Sequence, residues 1–277
     1  MLWLIGIGLC DENDLSLRAW EALKKADRIY LESYTSVSRF NLEKVKKELG
    51  KKVLVVNREF VESSRIVDEA RKENVALLVI GDALSATTHS ELILEAKKKK
   101  IKFEIIHNAS IITAVSDTGL QIYNFGKTTS IPFWQKNFEP ESFYDVILEN
   151  LERGMHTLML LDLDPDLLEK HEEIQKEFLV SQNRKAILRG RSKNSNNKFL
   201  TIKNALEILE KVEERRNKKI INDKIKLVTC ARIGCKNSLI KYQQIKKLKE
   251  IDFGEAPYCL VYPGKLHFKE EEFLTTF

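Results

Sequence analysis

No apolar run in the 277-residue chain approaches the ~20 residues a membrane helix needs. The opening MLWLIGIGLC is apolar but short, lacks a basic leader and runs straight into DEND. It therefore reads as a buried strand and not as a signal peptide. Only four cysteines occur (Cys10, Cys230, Cys235 and Cys259), without a C-x-x-C pair. They are too few and too scattered for a disulfide framework, so a reducing, cytoplasmic setting is expected. The five histidines form no H-E-x-x-H or other metal-ligand spacing, and no metal site is expected. There is no G-x-x-x-x-G-K-[ST] loop for ATP hydrolysis and no G-x-S-x-G elbow.

What is present is 43% hydrophobic and 31% charged, enough for real cores under an ordinary soluble surface. Disorder, collagen and coiled coil are excluded for the chain as a whole. The length sits near the roughly 250–300 residues at which single cores split, so two domains are expected. A boundary near residue 121 gives 1–121 and 122–277, with an insertion at about 164–200. The net charge of +5 is uneven, since 184–219 carries twelve Lys/Arg against four Glu. That segment could meet nucleic acid or an acidic protein. Without interleaved aromatic residues for stacking, it reads as an exposed, lysine-solubilised insertion.

In the first half, short apolar runs alternate with amphipathic ones. Strands are expected at Leu2–Gly6, Arg28–Leu31, Val53–Val56, Val75–Ile80 and Phe103–Ile106. Helices are expected at Ser16–Ala26, Asn41–Leu49, Ser63–Glu73 and Thr88–Lys99, the last with a capping box of Thr88 and Glu91. This alternation predicts an α/β fold with a mostly parallel sheet, whose ligand-binding loops gather at one edge. The second half suggests strands at Met155–Asp162, Lys226–Ala231 and Ala256–Tyr262, with Thr128–Phe133 as the segment that opens it. Helices are expected there at Phe143–Arg153, Thr201–Arg216 and Ser238–Glu250.

Three loops following first-half strands carry the chemistry. Gly6-Ile7-Gly8 resembles the start of a dinucleotide fingerprint, with Glu32 where a ribose-binding acid would sit. Asp11, however, stands in place of the third glycine. The segment from Gly81 to His89 places Asp82 and Ser85 after the most apolar strand, where a carboxylate accepts hydrogen bonds from a ligand or caps a turn. His107-Asn108-Ala109-Ser110-Ile111 offers a hydroxyl and amides to a ligand or to the following helix. His89 reads as structural.

The wording of the chain adds more. LIGIGLCDENDLSLRAWEALKKADRIYLESYTS, GDALSATTHSELILEAKKKKI, HNASIITAVSDTGLQIYNFGKTTSIPFW, GMHTLMLLDL, CARIG and DFGEAPYCLVYPGKLH occur in this order. Together they closely resemble the diphthine synthases, methyltransferases of the tetrapyrrole-methylase (class III) fold, from Met1 to about His267. The resemblance implies two α/β domains with S-adenosylmethionine in the cleft between them, in a homodimer. It implies repeated methylation of the 3-amino-3-carboxypropyl group on a histidine of translation elongation factor 2, with no membrane and no direct nucleic-acid contact. The long 164–200 stretch and SIPFW resemble the eukaryotic form, which adds four methyls to give diphthine methyl ester; archaeal-type enzymes stop at three. Carried over motif by motif, the cofactor-binding residues are Leu9, Asp82, Ser85, Ser110, Ile111, Leu161, Ile233 and Tyr258. Ala83 replaces the family's usual proline, Cys10 falls at a variable position, and Tyr258 stands where a histidine is common. No residue is identified as the base. The competing readings are a same-fold methyltransferase acting on a tetrapyrrole or RNA, a nucleotide-dependent oxidoreductase using G-x-G with Glu32, and a non-catalytic binding protein using 184–219.

Overall fold

The computed structural model describes residues 1–163 and 199–277, apart from Ser33. The described residues divide into two compact units, Met1–Ile111 and Ile112 onward. The expected insertion at about 164–200 lies almost wholly outside the described residues.

The first unit is a five-stranded, wholly parallel sheet. Its strands are β1 (Leu2–Gly6), β2 (Arg28–Glu32), β3 (Val53–Val56), β4 (Val75–Val79) and β5 (Phe103–Ile106), in spatial order β3-β2-β4-β1-β5. Every residue of β1 and β4 is buried, as expected of central strands covered on both faces. One core holds Ile5, Leu23, Ile29 and Leu78; the opposite face packs Leu4, Ile66, Val67 and Leu77. The helix Leu17–Lys25 starts where Ser16 accepts from the Ala19 amide and ends at Ala26, matching the expected span. Leu42–Leu49 is likewise capped by Asn41.

Two first-half expectations are corrected. The helix expected over Ser63–Glu73 is two short ones, Arg58–Glu62 and Arg65–Glu69. Asn57 caps the first, and the extended backbone of Ser63 breaks the run. The capping box of Thr88 and Glu91 does not form. The helix begins at Ser90, with buried His89 in the cap position and making no capping hydrogen bond.

The second unit contains a mixed five-stranded sheet. Its strands are β6 (Thr129–Ile131), β7 (Thr157–Leu161), β8 (Lys226–Ala231), β9 (Leu239–Gln244) and β10 (Tyr258–Tyr262), in order β6-β7-β10-β8-β9. Only β6 and β7 run parallel; the other pairs are antiparallel. Helices Ser142–Glu152 and Ile202–Arg216 supply Phe143, Tyr144, Leu206 and Leu209 to its core. The helix expected at Ser238–Glu250 is instead β9 followed by the single turn Ile245–Leu248. Pairing with β8 over six residues supplies hydrogen bonds that an isolated helical period cannot reveal.

Candidate functional site

The parallel sheet places β1 between β4 and β5, so the loops following these three strands emerge side by side at one edge. These are the three loops singled out in the sequence, and hydrogen bonds lace them together. Gly8 and Gly81 exchange backbone bonds at 3.0 and 2.8 Å. The Asn108 side chain donates to the carbonyls of Gly6 at 3.0 Å and Asp14 at 2.9 Å. Asp14 in turn accepts from the amides of Leu9 at 3.0 Å and Cys10 at 2.8 Å. Gly8 has φ +81°, and a Cβ there would overlap the Asp14 side chain.

Asp82 is the hub. One oxygen accepts from the Leu84 and Ser85 amides (3.0 and 3.1 Å) and from the Ser85 hydroxyl (3.0 Å). The other accepts from the Asn108 amide at 3.0 Å and lies 2.8 Å from His107 Nδ1. Burial opposes its charge, but the amides of Leu84 and Asn108, with His107 and Ser85, outweigh that and hold its pKa below the ordinary value. Asp82 thus spends its carboxylate on shaping the loops. The edge also carries the exposed His107, Gly81 and the backbone around Ser110. A Cβ at Gly81 would make ordinary contact with Ala109 and Ser110 at 3.9 Å, so the two loops lie against each other there, with Ser110 buried just before the turn Ile111–Ala114.

Glu32 serves no such purpose. It is fully buried and accepts from the amides of Tyr34 and Thr35, the Thr35 hydroxyl and the Ile80 amide. Burial raises its pKa, against the hydrogen bonds from Thr35, Ile80 and Tyr34. A carboxylate so enclosed is not presented to a ribose, which removes the basis of the oxidoreductase reading.

In the second unit, antiparallel pairing gathers the three remaining residues at one sheet edge. Tyr258 pairs with Ala231, two residues before Ile233, and Leu161 follows Leu160, the partner of Cys259. Ile233 is buried, whereas Leu161 and Tyr258 are half-buried. Arg232, which the sequence did not single out, holds this edge together. Its guanidinium donates to the carbonyls of Phe253 at 2.6 Å, Asn237 at 3.2 Å and Glu255, and its amide donates to Pro257 at 2.9 Å. The sequence equally gave no role to the side chains of Asp14 and Asn108. Their polar character in loops directly after apolar strands was the available signal. Among the described residues no group of His, Cys, Asp and Glu could hold a metal ion, and no helix is long and apolar enough to cross a membrane.

Comparison with known proteins gives a consistent picture. Residues 1–241 match the Tetrapyrrole (Corrin/Porphyrin) Methylases. The chain is 43% identical over 277 residues to the diphthine synthase of Methanocaldococcus jannaschii, covering 99% of this chain and 97% of that one. It is 37% identical over 281 residues to a protein of Arabidopsis thaliana named "Probable diphthine methyl ester synthase", with 99% and 97% covered. A crystal structure of diphthine synthase superposes with a TM-score of 0.79 at 33% identity, covering 100% of this chain and 95% of that one.

Proposed function

The chain belongs to the tetrapyrrole (corrin/porphyrin) methylases, and we propose that within them it methylates the 3-amino-3-carboxypropyl histidine of translation elongation factor 2. It is an S-adenosylmethionine-dependent methyltransferase of diphthamide biosynthesis. The observation that carries this reading is the likeness, end to end, to diphthine synthases and to a diphthine methyl ester synthase. The converging loops after β1, β4 and β5 supply a matching site.

S-adenosylmethionine brings an activated methyl on a sulfonium, so the protein's work is to bind, align and exclude water. The three polar loops gathered at the end of the parallel sheet suit such a ligand. Leu9, Ser85, Ser110 and Ile111 contact it from the first unit, on loops that Asp82 organises. Leu161, Ile233 and Tyr258, at one edge of the second unit's sheet, are the further cofactor residues that the likeness to diphthine synthases suggests. Tyr258, in place of a histidine, keeps its hydroxyl on the Gly254 carbonyl and offers its ring. The protein acts as a cytoplasmic homodimer with elongation factor 2 as its protein partner and without direct nucleic-acid binding.

Four methyls are added, the last to the carboxylate, because a trimethylated nitrogen has no lone pair left. The test is intact-mass spectrometry of elongation factor 2 bearing the modified histidine, after incubation with the protein and S-adenosylmethionine. Four increments are expected. Three would reassign the product as diphthine, and none, with cofactor binding intact, would overturn the acceptor.

A further inference from the structure

We propose that His107 is the base that takes the acceptor's ammonium proton before each methyl is transferred to nitrogen; the assignment rests on the acceptor reading above. His107 opens the loop after β5, and its Nδ1 lies 2.8 Å from the Asp82 carboxylate. Its side chain is 66% exposed, against 7% for Asp82. The imidazole therefore stands out from the edge of the laced loops while its anchor is buried beneath it.

The tautomer follows from donor inventory. An ionised carboxylate only accepts, so the hydrogen between His107 and Asp82 belongs to Nδ1, and the lone pair is on Nε2. Asp82, from the loop after β4, is a charged group that faces the ring. On the loop after β1, the Asp14 carboxylate is turned to the amides of Leu9 and Cys10. When Nε2 gains a proton, the imidazolium is paired with Asp82, as a base held by a carboxylate requires.

An alkylammonium has no lone pair with which to attack. His107 Nε2 accepts one proton, and the N–H electron pair stays on nitrogen. That pair forms the new N–C bond as the C–S bond breaks and its electrons return to sulfur, leaving a neutral thioether. The imidazolium then releases its proton to solvent. Three transfers to nitrogen need three such removals. Transfer to the already ionised carboxylate needs none.

His107→Asn separates this role from loop support, because the Asn amide can still donate to Asp82 but cannot titrate. Time-resolved intact-mass spectrometry would follow each methyl increment on modified elongation factor 2 across a range of pH. Calorimetry would measure S-adenosylmethionine binding to the same variant. The expected result is at least a tenfold slowing of the first three increments near neutral pH, closing as the pH is raised and the amine deprotonates unaided. The fourth increment should slow far less, and cofactor affinity should stay within threefold. Equal slowing at every pH, a matching loss of cofactor affinity, or unslowed transfer overturns the assignment. No transfer by the unsubstituted protein overturns the acceptor reading and this assignment with it.

Discussion

The Asn108 side-chain nitrogen, donating to the Gly6 carbonyl at 3.0 Å, fastens the loop after β5 to the loop after β1. The same nitrogen reaches the Asp14 carbonyl at 2.9 Å, and the Asn108 amide reaches Asp82 at 3.0 Å. One residue thus touches all three loops of the site. Asn108→Asp puts a carboxylate oxygen where two carbonyls expect a donor. It should raise the S-adenosylmethionine dissociation constant more than tenfold. Asn108→Ala leaves the carbonyls unpaired without that repulsion, a loss of about 1–3 kcal/mol in stability. Calorimetry and thermal melts of the two variants check the order, with the Asp variant the worse in both.

Gly8 and Gly81 share a left-handed backbone but differ in their surroundings. A Cβ at Gly8 overlaps Asp14, whereas at Gly81 the nearest atom is 3.9 Å away. Gly81→Ala should therefore cost only the backbone strain, about 1–2 kcal/mol, and would set a methyl against Ser110, one of the proposed cofactor residues. Gly8→Ala should cost more and displace the Leu9 and Cys10 amides. Denaturant midpoints with and without S-adenosylmethionine would separate the two, Gly81→Ala losing mainly the ligand-induced stabilisation.

Asp82→Ala deprives the Leu84, Ser85 and Asn108 amides of their acceptor at once. Cofactor binding should weaken at least tenfold, about 1.4 kcal/mol. Unchanged calorimetric affinity in a folded variant would show that the loops keep their shape without it.

Burial lowers the pKa of His89 from 6.5 to about 4. Its folded form is favoured when neutral, so its contribution is fully present above the unfolded value of 6.5 and is lost as the pH falls through about 4. The span corresponds to roughly 3 kcal/mol. His89→Gln does not titrate and can still meet the Tyr34 hydroxyl, which lies 3.1 Å from His89 Nε2. Melting curves across that range should show a shallower loss of stability in the variant. The lowered pKa values of Asp82 and Glu270 place their losses at lower pH, in both proteins.

Much of this molecule was legible in the chain itself. The strands at Leu2–Gly6, Val53–Val56 and Phe103–Ile106, the helices expected from Ser16 and Asn41, and the three polar loops after apolar runs all follow from local periodicity and turn chemistry. Local signals also explain the misreadings. Ser238–Glu250 has a plausible helical period, yet its first part is extended by pairing with β8, a partner outside any window along the chain.

The order β3-β2-β4-β1-β5 was likewise a tertiary decision, and it makes three separate loops neighbours. Only there do Asp82, His107 and Asn108 meet across 25 or 26 positions of sequence. Glu32, a candidate ligand in the sequence, becomes an internal brace because the fold surrounds it with amides. Residue type and local period determined which segments could carry polar groups at strand ends. Packing and the hydrogen-bond demand of buried groups then decided which of those groups remained available to a ligand.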